Sequence, residues 1–141
     1  MMIKGLRLLM ILMFSFVFSQ EERIQAQIDK PQREISKDSI YTMTEQGAEF
    51  PGGLDKFRQE FSKNFDISVI KGKGLFSCEL TFVILENGQI INVEAKGNDR
   101  SFNAEAIRAL NSMKNKVWKP GKINGEPVKS RYKIPFKINF E

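Results

Sequence analysis

From Arg131 to Phe140 the chain alternates without a break. Tyr132, Ile134, Phe136, Ile138 and Phe140 are large and apolar, while Arg131, Lys133, Pro135, Lys137 and Asn139 are basic, polar or proline. A period of two is the side-chain period of a pleated strand, so this segment has one face for a core and one for water. Five bulky groups on one face demand a partner surface, which the preceding chain must supply. Pro135 lies in the middle of the run. It has no N–H to give to a ladder, and this confines the strand to the edge of a sheet. A long basic edge strand is either guarded against pairing or open to an arriving strand, and function turns on which.

The preceding chain carries that surface. Leu54, Phe57, Phe61 and Phe65 recur at helical spacing after the turn Phe50-Pro51-Gly52-Gly53, which predicts a helix with one apolar stripe. Segments 76–86 and 89–96 read as a hairpin around Asn87-Gly88, the strongest short hairpin signal when the turn is type I′. That turn sets Glu86 opposite Gln89 and predicts the inner pairs Ile84–Ile91, Phe82–Val93 and Leu80–Ala95. Asp99 or Ser101 is placed to cap a second helix, with Phe102, Ala106, Ala109, Leu110 and Met113 on its buried side. Trp118-Lys119-Pro120-Gly121 and a turn at Asn124-Gly125 then lead into the last strand. The expectation is an α+β fold: a three-stranded antiparallel sheet of order 2-1-3, with two helices on one face and the last strand at an edge.

The 141 residues suffice for one domain and an extension, and twelve Phe support a real core. Residues 1–19 read as a signal peptide: Lys4 and Arg7 precede an apolar run from Leu8 to Phe18, and Ser19 offers a cleavage point. The run is shorter than the roughly 20 apolar residues a spanning helix needs, so export is favoured over an uncleaved membrane anchor. Residues 20–47 are polar, divided by Pro31, and read as a flexible tether. Formal charge is +5, and eight Lys and Arg against Glu126 alone fall between Lys114 and Lys137. Such a field attracts acidic partners without identifying them. Trp118 and Tyr132 near it could stack nucleic-acid bases, a use that export disfavours.

The sequence also excludes chemistry. It has no histidine, so the commonest general base and metal ligand is missing. Its one cysteine, Cys78, lies on the inner side of the hairpin and reads as a small buried hydrophobe. Gly72-Lys73-Gly74 precedes a strand instead of opening a helix, so it reads as a linker and not a phosphate loop. No catalytic residue, cofactor or metal site is expected, and the chain does not read as an enzyme.

Taken together, Glu49-Phe50-Pro51-Gly52-Gly53, the Asn87-Gly88 hairpin, Asn103-Ala104-Glu105-Ala106, Trp118-Lys119-Pro120-Gly121 and Asn124-Gly125-Glu126-Pro127-Val128 resemble the C-terminal domain of TonB, in the form common in Bacteroidetes. The resemblance spans residues 48–141. It implies a periplasmic module that captures an N-terminal segment of an outer-membrane TonB-dependent transporter by β-strand addition. It also implies Arg131, Tyr132, Lys133 and Ile134 as the receiving backbone. Two alternatives stand beside it: a full energy transducer anchored by an uncleaved leader and engaging inner-membrane motor proteins, and a structural envelope protein whose edge strand is simply guarded. Against the transducer, the chain has no His and only one proline, Pro31, between Gln20 and Phe50.

Overall fold

The computed structural model describes residues 33–141. The signal peptide read at 1–19 and residues 20–32 of the tether lie outside the described residues. Among the described residues, no helix is long and apolar enough to cross a membrane.

Gly52 and Gly53, with φ of 90° and 86°, turn the chain sharply into helix α1, Gly53–Asn64. Phe57 and Phe61 are buried along it, and Phe65 is buried at its C-cap. Leu54, expected on the same stripe, is 40% exposed. A 3₁₀ turn, Ile67–Val69, leads to strand β1, Gly74–Ile84, and strand β2, Ile90–Gly97. Helix α2, Arg100–Asn111, starts where the Asp99 side chain accepts from the Phe102 amide at 2.7 Å. A cap of this kind contributes about 1 kcal/mol. Phe102, Ala106, Ala109 and Leu110 are its buried side, as the spacing predicts, and Met113 is buried just past its end.

The long sheet has order β2-β1-β5, with β5 spanning Ser130–Phe140 and both pairings antiparallel. The predicted order is therefore the observed one, with β1 at the centre and β5 at an edge. A second, two-stranded sheet was not foreseen. It pairs β3, Gly121–Ile123, with β4, Glu126–Val128. Its turn is Asn124-Gly125, both at positive φ (51° and 75°), which is the type I′ geometry.

The first hairpin corrects the sequence reading. Only Gly88 has positive φ there, at 83°, and the Gly88 amide donates to the Leu85 carbonyl while the Leu85 amide donates to that of Gln89. The loop is thus three residues, Glu86–Gly88, with a left-handed residue at its end, and not a two-residue type I′ turn. The extra residue shifts the register, so Ile84 faces Ile90 and Ile91 becomes 37% exposed. Such a slip would turn every later side chain to the wrong face. A bulge prevents it. Between the pairs Val83–Ile91 and Thr81–Glu94, two residues of β2 oppose one of β1, and Asn92 adopts φ 53°. Beyond the bulge Leu80 pairs with Ala95 and Glu79 with Lys96, as predicted.

The core lies between the helices and the inner face of the sheet, and it is aromatic. Phe50, Phe57, Phe82 and Tyr132 surround Trp118 at ring distances of 5.1–5.6 Å. Trp118 is 3% exposed, so it packs the core and presents no face to a nucleic-acid base. Full burial of such side chains contributes about 1.5–3 kcal/mol each. Cys78 is buried, and burial pushes its thiol up to about 11, which leaves it protonated and unreactive. One buried acid was not legible from periodicity. Glu105 on α2 accepts from Arg108 and from the Asp66 amide, at 2.8 and 2.7 Å. The Arg108 guanidinium holds the Glu105 carboxyl below its ordinary range. Arg108 also donates to the Asn64 carbonyl, tying α2 to the end of α1.

Candidate functional site

The expected site is the outer side of β5, the side turned away from β1. In an antiparallel pair, successive residues direct their backbone groups alternately toward the partner strand and away from it. The Arg131 amide donates to the Tyr41 carbonyl at 2.8 Å, on the outer side. It follows that the amides of Lys133, Lys137 and Asn139 also point outward, and that Tyr132 and Ile134 direct theirs to β1. Pro135 falls on the outer side, where its missing N–H costs the β1 ladder nothing.

The four residues implied as receiving backbone differ in how their backbone groups are placed. Tyr132 and Ile134 have backbone groups committed to β1. Arg131 points outward but is already engaged. Tyr41 forms a parallel bridge with Ser130, donating its amide to the Lys129 carbonyl at 2.8 Å and accepting from Arg131. Lys133 alone keeps an outward amide with no hydrogen-bond partner among the described residues. The polar composition around Tyr41 gave no sign that this segment would bond to the sheet, since the bond runs through the backbone. Gln46 bridges Lys122 and Glu49 bridges Lys119 in the same way, so residues 41–49 are laid against the domain. Within the described part, the tether expected to run to residue 47 is bonded from Tyr41 onward.

The two faces of β5 differ in kind. On the inner face Ile134 is buried, while Tyr132, Phe136, Ile138 and Phe140 are half-buried, because the core is closed over them on one flank only. Phe136 meets Phe61 edge to face at 4.6 Å and stacks on Phe102 at 5.5 Å. On the other face Arg131, Lys133 and Lys137 are exposed. Lys133 Nζ lies 3.5 Å from Glu79 Oε1 on β1, a pair open to solvent and so worth no more than about 1 kcal/mol. Between α1 and the free edge opens a groove of about 250 Å³ whose floor includes Phe57, Phe61, Ile134 and Phe136. Among the described residues, no group of three His, Cys, Asp or Glu is gathered to hold a metal ion. The edge offers main-chain donors and acceptors, an apolar groove on one side and cations on the other.

The chain is similar to known proteins over part of its length. A sequence model of the family described as Gram-negative bacterial TonB protein C-terminal matches residues 77–140, from β1 to the end of β5. Among solved structures, the chain is similar to the solution structure of the Helicobacter pylori TonB C-terminal domain at 16% identity. That alignment covers 64% of this chain and 87% of the other, with a TM-score of 0.39, a likeness too slight to carry argument. No curated protein matched the chain.

Proposed function

We propose that residues 77–140, which match the model of the TonB C-terminal family, form such a domain, and that the protein is an exported binding module of the cell envelope that captures an extended transporter segment along the outer edge of β5. Domains of this family interact with outer-membrane TonB-dependent transporters and are envelope-associated interaction modules, not enzymes. The observation that carries the reading is the Lys133 amide, which points outward without a partner among the described residues, on a strand whose inner side is fully paired to β1. In strand addition, main-chain bonds supply affinity and alternate side chains supply selectivity. The carbonyls of Lys133, Pro135 and Lys137 and the amides of Lys133 and Lys137 would receive the segment.

The test is Lys133→Pro. The substitution removes that amide and leaves the β1 side of the strand untouched. The expected outcome is loss of binding to a synthetic peptide of a transporter's N-terminal segment, with an unchanged circular dichroism spectrum. Undiminished binding by a folded variant would sink the proposal.

One observation favours a second reading, that of a structural envelope protein with a guarded edge. Lysines and a proline on the edge, together with Tyr41 over its first step, are devices that prevent unwanted pairing. The same peptide measurement separates the two, since a guarded edge binds nothing.

A further inference from the structure

The groove beside β5 lies at the weakest point of the free edge. Pro135 has no amide, so an added strand finds donors at Lys133 and Lys137 and none between them. Ile134 and Phe136, on either side of that gap, form part of the groove floor together with Phe57 and Phe61 of α1. Arg58, Ser62 and Lys137 form its rim. Main-chain bonding is poorest where side-chain space is greatest.

A strand laid along β5 would sit about 4.8 Å away. Its residue across from Ile134 or Phe136 would point to the same face as they do, toward the helices and into the groove. The next residue would point to the opposite face, across from Pro135 and between Lys133 and Lys137. Lys133 already faces Glu79 at 3.5 Å, whereas Lys137 has no carboxylate within ion-pair distance among the described residues. On the groove side, Arg58 is exposed and only loosely paired with Asp55 at 3.6 Å. A cation of one strand facing a carboxylate of its neighbour is a favourable cross-strand pair.

We infer that the groove sets the register of the bound segment, taking one large apolar side chain from an extended acidic peptide whose adjacent carboxylate pairs with Lys137. The inference rests on strand addition at β5 and adds the chemistry of the ligand to it. A slip of one residue would put the carboxylate into the apolar groove and the apolar group among the lysines, so the wrong register is penalised twice. The groove and the gap at Pro135 also distinguish a slip of two.

The test uses the full chain and three fluorescein-labelled eight-residue peptides that alternate Val with Glu, Val with Lys, and Ser with Glu. Binding is read by fluorescence anisotropy. The Val–Glu peptide is expected to bind at least tenfold more tightly than either of the others. Ser62→Trp fills the groove from its exposed rim without disturbing the core, and should erase the preference for Val over Ser. Lys137→Glu should reverse the preference for Glu over Lys. Lys133→Pro should abolish binding of all three. If Val–Glu and Ser–Glu bind equally and Lys133→Pro abolishes both, strand addition stands and the groove inference falls. If Val–Glu binding survives Lys133→Pro, strand addition itself falls. No binding of any peptide, or a dimer of the chain that Lys133→Pro dissociates, overturns both.

Discussion

The chain contains two Asn-Gly turns, and they do not have the same shape. Asn124-Gly125 joins β3 to β4 with both residues at positive φ, and the register runs on evenly through three pairs. Asn87-Gly88 joins β1 to β2 with only Gly88 left-handed, and the ladder needs a bulge at Asn92 to recover. What separates them is surroundings. A Cβ built on Gly125 meets nothing within 4 Å, whereas one built on Gly88 would lie 2.0 Å from the Trp118 carbonyl oxygen and 2.8 Å from Val117 Cγ1. The Trp118 amide in turn donates to the Gly88 carbonyl at 2.9 Å. Gly88 is thus held against the segment that carries the central tryptophan of the core. The dipeptide specifies that a turn occurs. Which turn occurs follows from what lies against it.

The largest expected effect is on the crowded side of this comparison. Gly88→Ala should cost about 3 kcal/mol or more in urea denaturation, since overpacking and a left-handed alanine each cost roughly 1–3 kcal/mol. A cost equal to that of the same change at Gly125 would break the comparison, because the contact with Trp118 would then make no difference. Next comes the compensating bulge. Asn92→Val puts a β-branched residue at φ 53° and should cost about 2 kcal/mol, whereas Asn92→Gly should be neutral in the same measurement. If the valine is tolerated as well as the glycine, positive φ at 92 is not what restores the register. The smallest effect belongs to the open turn. Gly125→Ala should lower stability by about 1 kcal/mol from left-handed strain alone, and Ala variants at 125 and 88 should separate clearly on one denaturation plot.

The same contrast explains what the sequence revealed. Helix stripes such as Phe57 and Phe61, or Phe102, Ala106 and Leu110, are periodic, and burial follows period directly. The edge position of β5 was legible because one residue, Pro135, forbids any other. The outward direction of Lys133 was legible for the same reason. The engagement of Arg131 by Tyr41 was not, because a backbone bond between segments ninety residues apart leaves no trace in side-chain pattern. Nor was the burial of Glu105, which accepts from the Asp66 amide 39 residues away, a contact made only after the helices have packed. The groove was half legible. Its apolar floor follows from the stripes, but its opening depends on α1 leaving one flank of Phe136 uncovered.

Under the strand addition proposed for β5, the parallel bridge at Tyr41 would limit how binding scales with ligand length. A guest strand that stops opposite Lys133 forms only new bonds. One that continues to Arg131 must evict the Tyr41 carbonyl and exchange one amide bond for another, a step whose net free energy is close to nil. On that proposal, affinity should climb as the guest lengthens toward that step and then level off, which would make Tyr41 a ruler for guest length.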